Sequence, residues 1–142
     1  MHLPEWVEET YLEENTEKLL SRKHLLYDEE GRVIKEEFYD AKGLFSYAIE
    51  REYNEKDELI KETNAIGQKA YYSYDDFGNP VFTTTFTGLQ IENRYDANNR
   101  LIYKKETGRN GESRDYSYQY DAQGRLISKG DEFQNLTHYA YD

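Results

Sequence analysis

Cysteine is absent from this 142-residue chain, and histidine is scarce. Without cysteine the protein forms no disulfide and uses no thiolate chemistry. Cysteine usage therefore does not indicate whether the protein resides in a reducing or an oxidising compartment. The three histidines, His2, His24 and His138, lie in distant segments, so the sequence predicts no metal site and no cofactor. Phosphate-binding loops and nucleophile elbows are missing too, and no residue is named as catalytic. We predict a protein that is not an enzyme.

Positive charge is also in short supply. The chain has 18 Lys and Arg against 29 Asp and Glu, which gives a formal net charge of -11. This sign repels phosphate backbones and anionic headgroups, so neither nucleic acid nor a membrane surface is expected as a partner. A basic protein partner fits the charge, although the same charge also maintains solubility.

No apolar run reaches the length of a signal peptide or a membrane span. If Met1 is the natural start, the expected location is the cytoplasm.

Tyrosine, in contrast, is abundant, with 15 residues, and much of it lies in a repeated motif. The motif is Tyr, then Asp or Asn, two variable residues, a turn residue, one more residue and an apolar pair. It begins at Tyr27, Tyr53, Tyr74, Tyr95 and Tyr120, and the last two residues, Tyr141 and Asp142, repeat its start. A unit this short cannot bury a core alone, so the chain is predicted to be an array.

The fifth motif position predicts a compact hairpin turn. It is occupied by residues that tolerate positive φ: Gly31, Asp57, Gly78, Asn99 and Gly124. Between motifs lies a second turn that looks less regular, and we expect the length differences between repeats to collect there.

The segments between turns alternate with period two, which is typical of strands. In residues 116–120 tyrosines alternate with Ser117 and Gln119. After each motif turn an apolar pair such as Val33 and Ile34 predicts the next strand. Pro80 replaces the first residue of one pair, so its strand should begin there or carry a bulge. The predicted fold is mainly β: an open, twisted antiparallel meander of about ten strands, built from tandem hairpins.

Residues 4–22 are rich in Glu early and in Lys and Arg late, which favours a helix. We expect residues 1–24 to form a helical cap on the first strand and residues 25–142 to form the repeat sheet, as one domain overall.

The string Tyr-Asp-x-x-Gly-Arg-Leu-Ile is complete at residues 120–127 and nearly intact at 95–102. It resembles the YD repeat of the Rhs and teneurin families, and the resemblance covers residues 27–142. It implies a long β-sheet, which in those families spirals into a shell around a toxin domain. Related toxin loci also encode small immunity proteins.

Two turns break the polar pattern of their sister repeats and are candidate partner-binding sites. Phe77 lies beside Asp75 and Asp76, and Phe133 lies beside Asp131 and Glu132. Either aromatic ring could instead fold back on the sheet.

The leading hypothesis is a non-enzymatic protein-binding repeat protein, an immunity protein that neutralises a basic toxin domain. The alternative is a structural fragment of an Rhs-type shell that self-associates through its C-terminal edge strand. A glycan-binding module is a further alternative, suggested by the exposed tyrosines.

Overall fold

The computed structural model describes residues 2–142, and this part of the chain is all β. It contains twelve strands, each antiparallel to the strands with which it pairs, and no helix. The strands are β1 (Trp6–Glu13), β2 (Thr16–Tyr27), β3 (Val33–Tyr39), β4 (Phe45–Tyr53), β5 (Leu59–Thr63), β6 (Lys69–Tyr74), β7 (Pro80–Thr84), β8 (Gln90–Tyr95), β9 (Leu101–Thr107), β10 (Ser113–Tyr120), β11 (Leu126–Asp131) and β12 (Leu136–His138).

The chain divides into two compact units, Met1–Lys69 and Ala70–Asp142. The first unit holds β1 to β5 and ends at Lys69, the first residue of β6. The second unit holds the rest of β6 and β7 to β12. Within each unit, strand order in the sheet follows chain order. Consecutive turns therefore lie at opposite ends of the strands. We call the two ends of each unit the motif end, which bears the turns that follow each motif tyrosine, and the second end.

The meander and its period-two faces are confirmed. In β8 the side chains of Ile91, Asn93 and Tyr95 are half-buried, while those between them are exposed. In β10 the tyrosines are half-buried, and Ser117 and Gln119 are exposed. The prediction for Pro80 is also confirmed, because β7 begins at Pro80 and its register with β6 shifts there.

The helix predicted over residues 4–22 is wrong. Those residues form most of the β1–β2 hairpin, and Glu14 and Asn15 adopt φ of 50° and 64° at its turn. The charge separation along the sequence serves cross-strand pairing: Glu8 lies 3.7 Å from Arg22, and Glu13 pairs with Lys18. Acids followed by bases satisfy a helix dipole or a hairpin equally well, so the pattern did not discriminate between them.

A single sheet layer leaves little room for a core. Within residues 2–142 the buried hydrophobic side chains are Leu25 and Ala70, at 8% and 1% exposure. Burial of apolar area therefore contributes less here than in a two-layer domain. Interactions between neighbouring strands and turns must supply the remaining stability, and the motif residues provide many of them.

Candidate functional site

All ten turns between β2 and β12 have one geometry. In each, the first residue's backbone N–H donates to the carbonyl of the fifth residue, and the fourth residue's N–H donates to the carbonyl of the first. The fourth residue has positive φ throughout. The prediction of positive φ at the motif turns is thus confirmed. The turns span residues 28–32, 40–44, 54–58, 64–68, 75–79, 85–89, 96–100, 108–112, 121–125 and 131–135.

The expectation that length differences collect in irregular second turns is wrong. The second turns match the motif turns, and the strands from β3 to β11 vary instead, from five residues in β7 to nine in β4. A β-turn of fixed hydrogen bonding cannot absorb an extra residue, whereas an antiparallel pair can lengthen by adding rungs.

A side-chain oxygen organises most of these turns. Asp121 shows the pattern, since its Oδ1 accepts hydrogen bonds from the backbone N–H groups of Gln123 and Arg125 at 3.0 and 2.9 Å. The same two bonds are made at Asp28, Asp40, Asn54, Asn64, Asp75, Asp96 and Asp131. Asp and Asn suit this position because their side chains reach the backbone two residues on.

Several motif tyrosines fasten a hairpin to the strand beside it. The hydroxyl of Tyr120 donates to the carbonyl of Leu101 at 2.7 Å, and that of Tyr141 donates to Leu126 at 2.7 Å. Tyr95 donates to Pro80 at 2.9 Å. Each acceptor is the first residue of its strand. Burial raises the pKa of Tyr95 and of Tyr120. Both phenols therefore keep the proton that they donate up to a higher pH than an exposed tyrosine does.

Two motif arginines, Arg32 and Arg100, join one motif turn to the next motif turn. Nε of Arg100 donates to Asp96 of its own turn at 2.8 Å, and Nη1 donates to the carbonyl of Asp121 in the next motif turn at 3.3 Å. The guanidinium also lies 5.0 Å from the ring centre of Tyr120. Arg32 makes the equivalent contacts with Asp28, Asn54 and Tyr53. Each of these arginines therefore binds one repeat to the next through a charged hydrogen bond and a cation–π contact.

Two motif turns lack this arginine. Glu58 stands at its position in the second motif and accepts a hydrogen bond from Asn54 Nδ2 at 2.7 Å. In the third motif, Asn79 donates to Asp75 at 3.0 Å and to Asn99 of the following motif turn at 2.9 Å. The amide thus reproduces the bridge between turns without its charge.

Two turn carboxylates, Asp96 and Asp121, have pKa values that are lowered by their turn contacts. The backbone N–H of Arg100, followed by its side chain, lowers the pKa of Asp96 below its usual value, and Arg125 lowers the pKa of Asp121 in the same way. Hydrogen bonds to a carboxylate favour its ionised state. These acids are thus committed to turn geometry and are poorly suited to general acid–base work.

The structure does not bring the six predicted site residues together. Asp75, Asp76 and Phe77 lie in the β6–β7 turn at the motif end of the second unit. Asp131, Glu132 and Phe133 lie in the β11–β12 turn at its second end. Neither ring folds back on the sheet, because Phe77 is 79% exposed and Phe133 is 76% exposed.

Both rings occupy the third turn position, whose N–H donates to the first residue's side chain. Ile66 occupies the same position in the first unit and is 77% exposed. Phe77 and Phe133 were named from the sequence but Ile66 was not, because not every second turn was aligned with the motif turns. Once the ten turns are superimposed, these three apolar tips stand out against polar residues such as Asn98 and Gln123.

Phe133 borders a groove of about 680 Å³ in the second unit. Leu89 and Tyr116 contribute apolar surface to it. The charged lining comprises four acids and one base: Glu106, Glu112, Asp131, Glu132 and Arg114. The second predicted trio therefore lines a concavity with acidic walls. Tyr116, Glu112 and Arg114 were not singled out by the sequence, because strand tyrosines and turn acids recur throughout the chain.

Residues 2–142 hold no group of three or more His, Cys, Asp or Glu arranged to bind a metal ion. They also contain no helix with the length and apolar character needed to cross a membrane.

Comparison with known proteins supports the repeat assignment. Residues 95–132 match the family model named RHS Repeat. No curated protein sequence matches the chain. Among solved structures, a crystal structure of TcdB2-TccC3-Cdc42 aligns with 96% of this chain at a TM-score of 0.60 and 13% identity.

Other solved structures align less closely. The Tc holotoxin pore of Photorhabdus luminescens aligns with 89% of this chain at a TM-score of 0.40 and 13% identity. This chain covers 8% of the matched chain in the first structure and 10% in the second. At this identity the likeness concerns the fold alone. The family match is confined to residues 95–132, and the likeness to the TcdB2-TccC3-Cdc42 structure shows that the chain shares its β-sheet fold with part of that structure.

Proposed function

We propose that this protein is a non-enzymatic β-repeat scaffold that acts by binding another polypeptide. The observation that carries the proposal is the use of the motif side chains. The side chains that could otherwise take part in chemistry are engaged in joining one repeat to the next. Examples are Asp96, Arg100 and Tyr120. Turn tips and a groove are accessible on the surface, and these are features suited to recognition.

The leading form of this proposal is an immunity protein that neutralises a basic toxin domain in the cytoplasm. The net charge of -11 supports it. So do the motif turns of the first unit, which carry Asp28, Glu29, Glu30, Glu55, Asp57 and Glu58 against Arg32 and Lys56. Acidic turns would speed association with a basic partner and would block its active-site cleft.

Co-expression with toxin domains encoded beside the gene tests this form. Protection from growth arrest, together with a purified complex whose association rate falls with salt, is the expected result. Growth arrest without protection, combined with no complex at low salt, would exclude it.

A second form is a structural segment of an Rhs-type wall. It is favoured by the alignment of 96% of the chain with a small part of a much larger chain. In this form β12, which contributes only Leu136–His138, would pair with further strands or with a second copy. Light scattering over a range of concentrations distinguishes the two forms, since a strictly monomeric protein would argue against self-association.

A further inference from the structure

The groove beside Phe133 has a shape, an apolar patch and a charge that together specify a ligand. Its walls are formed by the β9–β10 and β11–β12 turns at the second end of the second unit. Leu89 of the β7–β8 turn and residues of β9 and β10 also line it. At about 680 Å³ it accommodates several side chains of an extended peptide. The groove is open to solvent rather than a closed pocket, which favours a polymer over a small molecule.

The ring of Phe133 contributes little to the stability of the fold. Its backbone N–H closes the Asp131 turn, but its ring is 76% exposed. Gln123 and Asn98 fill the same turn position with polar side chains while making the same backbone bond. An exposed aromatic ring where folding requires none is typical of an anchor in a protein interface. Tyr116, half-buried in the groove, adds a second aromatic surface.

The charge of the groove selects the partner. Glu106, Glu112 and Glu132 line it, and Arg114 is its one positively charged lining residue. Asp131 also lines the groove, but its oxygens bind the turn backbone and Asn135. Glu106 pairs with Lys104, so Glu112 and Glu132 are the carboxylates that meet a ligand cation. A segment bearing Lys or Arg would meet carboxylates and aromatic faces at once, and cations bind both.

We infer that the Phe133 groove is a docking site for an extended, basic polypeptide segment with apolar residues between its cations. This inference rests on the proposed protein-binding function and assigns it to one end of the second unit. The ring of Phe133 packs on an apolar side chain of the segment. The groove carboxylates pair with its Lys or Arg residues.

The test uses the full chain and two fluorescent peptides of about eight residues, one alternating Lys with Val and the other Glu with Val. Fluorescence anisotropy should show binding of the Lys peptide that weakens with salt, and no binding of the Glu peptide. Phe133→Gln should weaken binding by about fivefold or more. Glu132→Lys should weaken it as well.

Matched controls occupy equivalent turn positions elsewhere. Phe77→Gln removes an equally exposed ring at the motif end, and Glu29→Lys reverses a charge at the second position of another turn. Neither should change binding. Urea midpoints of all variants should stay near that of the parent, because the replaced side chains are exposed.

Failure of the parent protein to bind the Lys peptide would overturn the inference, as would unchanged binding by Phe133→Gln. Loss of binding in Phe77→Gln but not in Phe133→Gln would move the site to the motif end and leave the proposed function standing. If the Phe133→Gln variant still protects in the co-expression assay, the groove is rejected as the docking site, while the proposed function stands.

Discussion

The hydroxyl of Tyr120 donates a 2.7 Å hydrogen bond to the backbone carbonyl of Leu101, the first residue of the neighbouring strand. Its ring lies 5.0 Å from the guanidinium of Arg100, which also contacts the backbone of Asp121. Tyr120 thus connects two strands, and Arg100 connects two motif turns. In a sheet with few buried residues, such bridges substitute for a core.

Replacing Tyr120 with Phe removes only the hydroxyl and leaves the Leu101 carbonyl without its phenol donor. We expect a loss of about 1 kcal/mol in the free energy of unfolding, measured by urea titration. Tyr118→Phe is the control, because Tyr118 lies on the same face of β10. Equal losses in the two variants would show that the hydrogen bond to Leu101 does not carry the effect.

Asp121 should tolerate Asn but not Ala. Asn keeps the oxygen that accepts the N–H groups of Gln123 and Arg125, as Asn54 and Asn64 do in their own turns. Ala leaves both groups without that acceptor. We expect Asp121→Ala to lower Tm by several degrees and Asp121→Asn to lower it less, as measured by circular dichroism. A Tm for Asp121→Asn as low as that for Asp121→Ala would instead assign the effect to the lost charge.

Asp96 and Asp121 should make the stability of the fold depend on pH in the acidic range. The backbone N–H and the side chain of Arg100 lower the pKa of Asp96, and Arg125 does the same for Asp121. A lowered native pKa gives stability that is fully present above the unfolded value of about 3.9 and is lost as pH falls through the native value. The urea midpoint should therefore be flat from about pH 6 to pH 5 and should fall below about pH 4. A midpoint that stays constant down to about pH 2 would contradict this expectation.

Gln134 is a position where Gly should stabilise the fold. Its φ of 63° is unfavourable for a residue with a Cβ, and seven sister turns have Gly at this position. We expect Gln134→Gly to raise the free energy of unfolding by up to about 1 kcal/mol. Gly124→Ala is the reciprocal change and should lower it by a similar amount. A Cβ at Gly124 would meet only Arg100 Nη1 at 3.8 Å, so strain rather than collision is tested. Opposite signs in thermal melts are the expected outcome.

Much of the sheet could be predicted because the local signals are strong. Positive φ at the fifth motif position follows from the recurrence of Gly, Asn and Asp, and Pro80 marks the start of β7. The N-terminal hairpin could not be predicted in this way. Glu8 and Arg22 are compatible with a helix dipole in the sequence, and only their cross-strand pairing in the folded chain distinguishes the two structures.

The candidate site was predicted only in part. Phe77 and Phe133 were found as exceptions to a repeat rule, which is a property of sequence alone. Their separation to opposite ends of the second unit depends on how many strands lie between them, so it required the meander itself. The groove around Phe133 depends on residues of three turns and two strands, whose proximity no local pattern encodes.

The sequence by itself determined the repeat, its turn chemistry and its strand periodicity, because each depends on residues within a few positions of one another. Tertiary structure decided which tyrosine hydroxyl meets which carbonyl, which arginine bridges which turns, and where a concave acidic surface forms. Those relationships join residues about 20 positions apart, such as Tyr120 with Leu101 and Arg100 with Asp121, and their geometry is set by strand register. Register is a property of the assembled sheet, fixed by pairing between strands rather than by any single segment.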